Sequence, residues 1–418
     1  MDLLKNIFKG DKVIWIIFLC LCLISIIEVF SAASTLTYKS GDHWGPITQH
    51  SIILMVGAVV VVFLHNVPYK WFQVFPVFLY PISLVLLAFV TLMGIITGDR
   101  VNGAARWMTF MGLQFQPSEL AKMAVIIAVS FILSKGQDEE GANPKAFKYI
   151  MILTGLVLIL IAPENLSTAM LLFGVVFMMM FIGRVAAKKL LLLAGGLILI
   201  GALGVGTVVA IPAKTLHSTP GLHRLETWQN RIKGFFDKDE VPAAKFDIDK
   251  DAQIAHARIA IATSHVVGKG PGNSIQRDFL SQAFSDFIFA IVIEEMGLIG
   301  GIFVVFLYLW LLMRAGRIAQ KCERTFPAFL VMGIALLLVS QAILNMMVAV
   351  GLFPVTGQPL PLVSKGGTST LINCAYIGMI LSVSRYTAHL EEQKEHDAQL
   401  QLQIETNAAD SEAQAAAE

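Results

Sequence analysis

The chain alternates long apolar runs with short polar joints. Ten mostly uncharged, apolar stretches can be marked, at about 13–34, 46–64, 71–96, 117–133, 147–162, 166–182, 190–211, 284–313, 326–350 and 368–383. Most reach or approach the ~20 residues that a helix needs to cross a bilayer. The pattern predicts an all-α polytopic membrane protein of ten transmembrane helices. One long polar interval, 213–283, separates the seventh helix from the eighth. Residues 1–12 form a basic N-terminal segment and 13–387 the membrane domain. The remainder, 388–418, is rich in Glu, Gln and Ala with no apolar face to pack, and is predicted to be mostly disordered.

Composition agrees with that picture. Of 418 residues, 56% are hydrophobic and only 15% charged. A soluble domain would carry about a quarter charged residues. The net charge of +1 gives no reason to invoke nucleic acid. Cys20, Cys22 and Cys374 lie in apolar runs, Cys322 in a basic joint, and none in the long polar interval. No structural disulfide or metal framework is therefore expected. No HExxH, GxSxG or Walker sequence occurs. The first apolar run is too long for a signal-peptide core and lacks a convincing cleavage site, so it reads as a retained helix.

An even helix count puts both termini on one side. Fifteen Lys and Arg flank the helices on that side, from Lys5 to Arg385. The short joints of the other side hold only Lys39, Arg100, Arg106 and Lys365. The bias makes the termini cytoplasmic and the long interval extracytoplasmic.

Charged groups inside or beside the apolar runs are the candidates for chemistry. Asp286 falls in the first turn of the eighth run, where the positive end of the helix dipole favours a carboxylate and water can reach it. Glu294 and Glu295 follow in the same run. A straight helix would put them roughly 12–14 Å deeper, too deep to touch a head group beside Asp286. Their expected role is to pair with basic groups and join helices, as for Glu28 in the first run. Glu119 and Lys122 share a face of the fourth helix, which Pro117 opens. They form a local ion pair, or Lys122 is a partly buried cation aimed at an anionic head group.

Three joints add to the list. In 222–236, Leu222, Leu225, Trp228, Ile232 and Phe235 recur at helical spacing and predict an amphipathic helix lying on the membrane, with a second helix over 253–267. Gly268-Lys-Gly-Pro-Gly-Asn-Ser-Ile-Gln-Arg277 is a plain turn or a set of backbone donors for a phosphate. Finally, 350–369 is apolar, yet its Pro and Gly content forbids a regular helix. Irregular backbone at membrane depth must be buried in protein or line a cavity. Asn165-Leu-Ser matches a glycosylation sequon, read as chance in so short a joint.

Together these pieces resemble the SEDS family (shape, elongation, division and sporulation), whose members include FtsW, RodA and SpoVE. The resemblance rests on four motifs in order: Arg106-Trp107 with Gln116-Pro-Ser-Glu-Leu-Ala-Lys122; Gly270-Pro-Gly-Asn-Ser-Ile-Gln276; Asp286-Phe-Ile-Phe-Ala with Glu294-Glu-Met-Gly-Leu-Ile-Gly300; and Pro354-Val-Thr-Gly-Gln-Pro-Leu-Pro with Ser364-Lys-Gly-Gly367. It covers roughly 13–387, and the long interval and acidic tail look more like FtsW than RodA. Where the family usually has Pro-Glu-Ala-His-Thr, this chain has Ser281-Gln-Ala-Phe-Ser285. Where an aromatic residue is usual before Gly-Gly, it has Lys365.

The resemblance implies a peptidoglycan glycosyltransferase. It would polymerise lipid II at the outer face of the bacterial inner membrane, at the division septum, with a class B penicillin-binding protein and other divisome proteins as partners. Asp286 matches the family's essential acid. Bottom-up, the acceptor sugar hydroxyl needs a base and the departing lipid diphosphate needs cations. Asp286 is assigned as base, and Arg106, Lys122 and Lys365 as diphosphate contacts. Glu119, Gln276 and Ser364 join the substrate-binding set through their motifs. No cofactor is required, though a divalent cation (Mg or Mn) would suit the diphosphate. The rival reading is a lipid II flippase using Glu28, Glu294 and Glu295; a third is a division scaffold that only recruits partners.

Overall fold

The computed structural model describes residues 9–32, 45–96, 107–110, 113–138, 141–211, 229, 251–280 and 285–417. The expectations for Arg106 and, save for Gln229, for a helix over 222–236 lie outside the described residues. The chain is built from helices α1 (Lys12–Ala32), α2 (Gly45–Asn66), α3 (Phe75–Ile96), α4 (Pro117–Ser134), α5 (Ala146–Ile161), α6 (Leu166–Ile182), α7 (Ala187–Ala210), α8 (Asp251–Thr263), α9 (Ile288–Gln320), α10 (Thr325–Ala349) and α11 (Gly367–Ala417). Among the described residues, eight are long and apolar enough to cross a membrane. α5 and α6, of 16 and 17 residues, are apolar but shorter, so ten crossings require both of these short helices to span as well.

α4 is the central post. It packs against α3, α5, α6 and α10, and most of its residues are buried, Glu119, Lys122 and Ser130 among them. A helix carrying ionised and hydroxyl groups cannot face lipid cheaply, which explains why it sits inside. α7 is the opposite case. It has no charge beyond its first turn and is apolar nearly all round, and it touches α6 while most of its residues are exposed. α11 packs along α2, and α9 along α10.

Local chemistry sets several boundaries. Pro117 occupies the first turn of α4, where no backbone donor is lost. Asn165 caps α6, its side-chain oxygen accepting from Thr168 N at 3.2 Å. Asn165 is buried in that role, which removes the sequon as a glycan acceptor. A two-stranded hairpin, β1 (Met108–Phe110) and β2 (Leu113–Phe115), precedes α4 and was not expected from the apolar pattern.

The tail differs from the disorder that composition predicts. α11 continues to Ala417, with residues 391–404 exposed. Lys321–Glu391 and Lys394–Glu323 pairs, each 2.8 Å at closest, tie it to the α9–α10 joint. Ala, Glu and Gln are strong helix formers, and a helix already nucleated in the bundle needs no second nucleus.

α9 is not one straight crossing. Gly297 (φ 72°, ψ −176°) breaks it into a short arm, Ile288 to Met296, and a long arm from Leu298 to Gln320. At roughly 1.5 Å per residue the long arm alone can cross ~30 Å of hydrocarbon. Glu294 and Glu295 therefore do not lie two turns down a spanning helix. Glu295 meets Ser31, in the last turn of α1, so both acids sit at the same end of the bundle as the start of α4.

Candidate active site

The break at Gly297 leaves backbone groups of both arms without helical partners. The chain between α8 and the short arm supplies them. Lys269 N donates to Glu294 O at 3.0 Å and Gly270 N to Glu295 O at 2.8 Å, while Leu298 N and Ile299 N donate to His265 O and Val266 O. The crossing is close enough to require glycine on both sides. A Cβ at Gly268 (φ 81°) would lie 2.3 Å from Gly297 N, and one at Gly297 would lie 2.3 Å from Val266 O.

The same segment surrounds the two carboxylates. Glu294 pairs with Lys269 Nζ at 2.6 Å and accepts from Ser274 Oγ, Ile275 N at 3.2 Å and Gln276 N at 3.3 Å. Glu295 accepts from Gly272 N at 2.9 Å, Ser274 N at 3.2 Å and Ser31 Oγ, with Arg277 Nη1 at 3.8 Å. Both side chains are fully buried. The Gly-rich turn is thus an anion cradle, as its backbone donors suggested, but the anions are the protein's own carboxylates. Gln276 is engaged too, its side-chain oxygen 2.6 Å from His256 Nδ1.

Asp286 is handled differently. It lies two residues before α9, outside the first turn where a helix from 284 would have put it. Its carboxylate accepts from Ser285 Oγ at 3.0 Å and is half-buried. Its main chain is held from inside the bundle: Asn345 Nδ2 donates to Asp286 O at 3.0 Å, and Ser364 Oγ donates to Ser285 O at 2.7 Å.

The irregular segment after α10 makes those ties. Its stretch 356–364 is mostly buried within the bundle, while Val350 and Leu352 at its start are exposed. Ser25 Oγ donates to Val363 O, Tyr308 Oη to Pro361 O, Gln341 Nε2 to Pro359 O, Asn345 Nδ2 to Gln358 O, and Gln358 Nε2 to Thr168 Oγ1. Ser364, expected among the substrate contacts, is buried and serves as an internal brace, also accepting from Leu360 N at 2.8 Å. Lys365 is half-buried beside His50 of α2, and burial holds its ammonium below the ordinary lysine value. Thr368 Oγ1 donates to Gln114 O in β2 at 3.1 Å, so the hairpin that follows Trp107 meets the start of α11.

Lys122 is completely buried. It pairs with Glu119 at 2.8 Å and donates to Gln341 Oε1 at 2.9 Å. Both sequence readings are thereby narrowed: the ion pair exists, and it lies inside the bundle. Sequence reasoning passed over Gln341 and Asn345. The only available signal was two amides four residues apart in an apolar run.

Comparison with known proteins agrees with this architecture. The family pattern FTSW_RODA_SPOVE, described as "Cell cycle protein", matches residues 11–389. A Trichlorobacter lovleyi protein named "Probable peptidoglycan glycosyltransferase FtsW" is 32% identical, over 92% of this chain and 96% of its own. One of the same name from Geobacter sp. strain M18 is 32% identical, over 91% and 98%. The fold is similar to Thermus thermophilus rod shape determining protein RodA, with TM-score 0.60 and 23% identity over 91% of this chain and 98% of that one. It is also similar to a chain from a peptidoglycan synthase complex, with TM-score 0.69 and 24% identity over 91% and 99%. This chain belongs to the FtsW/RodA/SpoVE family of cell cycle proteins.

Proposed function

We propose that the protein is a peptidoglycan glycosyltransferase of the FtsW type, polymerising lipid II with Asp286 as the base. One contrast carries the reading. Of the three acids around the short arm of α9, Asp286 is half-buried, whereas Glu294 and Glu295 are fully buried and ringed by protein donors. A base must reach a substrate proton. Asp286 takes the proton of the acceptor GlcNAc 4-hydroxyl as that oxygen bonds to the donor's anomeric carbon. The bond from that carbon to the lipid diphosphate breaks, and one displacement inverts the centre.

Lys365, half-buried at the same end, is the described cation best placed to meet the leaving diphosphate. Arg106 remains a candidate on sequence alone. Lys122 acts from within, holding Glu119 and Gln341. A divalent cation (Mg or Mn) arriving with the diphosphate would add charge neutralisation. Among the described residues no group of three or more His, Cys, Asp or Glu side chains forms a cage for one.

The charge bias supports a position of this end of the bundle at the outer face of the membrane, with both termini cytoplasmic, and the family supports the bacterial inner membrane. The FtsW relatives point to the division septum, with a class B penicillin-binding protein as transpeptidase partner. The flippase reading keeps one observation in its favour: both carboxylate oxygens of Glu28 are buried without a hydrogen-bond partner.

Strand synthesis from lipid II by purified protein in detergent separates the readings, because detergent leaves no two sides to transport between. Asp286→Asn should insert and fold normally and lose ~10²- to 10⁴-fold in rate. Near-native polymerisation by that variant would sink the assignment. Single cysteines at Ser218 and Asp249, in a variant lacking the native four, should label with an impermeant thiol reagent in intact spheroplasts. Labelling only after lysis would reverse the topology.

A further inference from the structure

α10 carries two buried amides, Gln341 and Asn345. Four residues apart, they share one helix face. Each reads one of two successive carbonyls in the irregular segment: Gln341 Nε2 donates to Pro359 O at 3.0 Å, and Asn345 Nδ2 to Gln358 O at 2.8 Å. Each also reaches a second group. For Gln341 this is Lys122 Nζ, at 2.9 Å from Oε1; for Asn345 it is Asp286 O, at 3.0 Å from Nδ2. The face therefore links Lys122, the irregular segment and the main chain of Asp286.

The way Asn345 is used is specific. A primary amide offers two hydrogens and one acceptor oxygen. Both contacts of Asn345 are donations, to carbonyls on two different segments, while its Oδ1 is buried with no hydrogen-bond partner. A residue chosen merely to fill this space would not need an amide. One chosen to tie two carbonyls together does, and an isosteric carboxylate, which only accepts, could not replace it.

We propose that Asn345 is a positioning residue for glycosyl transfer. By clamping Asp286 O to Gln358 O it sets where the Asp286 carboxylate stands relative to the Lys122–Gln341 face. The inference rests on Asp286 being the base. Displacing a catalytic group by about 1 Å costs roughly 100-fold in rate even when the group itself is intact.

The test is lipid II polymerisation by the purified full-length protein, with kcat and KM resolved and thermal unfolding measured alongside. Asn345→Asp should lower kcat about 10- to 100-fold with KM nearly unchanged. Tyr308→Phe is the structural control. It frees the same segment at Pro361 without touching Asp286, and should lower Tm while leaving kcat near native. In an Asp286→Asn background, Asn345→Asp should cause almost no further loss, because both changes act on one group. Should Asn345→Asp fail to fold, Asn345→Ser, which keeps one donor hydrogen, carries the same expectation with a smaller loss. Native kcat for the Asn345 variant beside an inactive Asp286→Asn overturns this inference alone. So does a kcat loss matched by Tyr308→Phe at equal Tm. Native turnover by Asp286→Asn overturns the base assignment and the positioning role together.

Discussion

The short arm of α9 has acids at both ends, and they are treated in opposite ways. At the Gly297 end, Glu294 and Glu295 are buried and receive hydrogen bonds from Lys269, Ser274, Ile275, Gln276, Gly272 and Ser31. At the Phe287 end, Asp286 keeps a half-buried carboxylate, and Asn345 and Ser364 hold the main chain around it. Burying a carboxylate is tolerable only when its oxygens are paired. A carboxylate so enclosed is out of reach of a substrate. The arm thus separates an acid that builds the fold from an acid placed to react. Residue type and membrane depth do not distinguish them; their burial does.

That contrast can be broken from either end. The largest effect should come from Asp286→Asn, which should raise the barrier by about 3–5 kcal/mol while leaving Tm within a degree or two of native; an equal loss of stability would place Asp286 among the structural acids. Next is Glu294→Gln combined with Glu295→Gln, which removes the pairing of Lys269 and Arg277. We expect a loss of about 3–5 kcal/mol in stability, with the folded fraction still polymerising. Inactivity at unchanged Tm would merge the two classes and favour the lipid II flippase. Gly297→Ala should follow, at about 2–5 kcal/mol, from a left-handed φ and a Cβ pressed against Val266 O; native unfolding behaviour would show that the crossing is looser than described. The smallest change should be Lys269→Met. Its side chain is a quarter exposed and Glu294 keeps its donors from Ser274, Ile275 and Gln276, so roughly 1 kcal/mol is expected, and activity should persist.

Much of this was legible from sequence because the bilayer enforces it. The apolar runs at 117–133, 166–182 and 326–350 reappear within a residue or so as α4, α6 and α10. Irregular apolar backbone at 350–369 had to be buried in protein or line a cavity, and its stretch 356–364 is mostly buried. The Glu119–Lys122 pair followed from helical spacing. The break at Gly297 was hidden, since Glu-Glu-Met-Gly-Leu-Ile-Gly reads as continuous helix. Its cause lies near Gly268, far along the chain, where backbone groups stand ready to pair with the severed ends. The depth of Glu294 and Glu295 was misjudged for that reason alone. The hairpin had a local signal that went unused: Met108-Thr-Phe and Leu113-Gln-Phe flank Met111-Gly112 at the spacing of a tight turn. Asn345 offered only its spacing from Gln341, because a donor's partners cannot be read from its neighbours in sequence.

The passage of 265–270 through the break in α9 also imposes an order of events on biosynthesis. The ribosome makes the gripping segment before the helix it grips. When the arm bearing Glu294 and Glu295 first meets the membrane, its acids have no lasting partners. They acquire them only once the preceding segment has folded back onto the arm. Closure of that clasp is therefore a step that follows synthesis of both the segment and the arm. A molecule stalled before it would be fully inserted yet lack a settled Asp286.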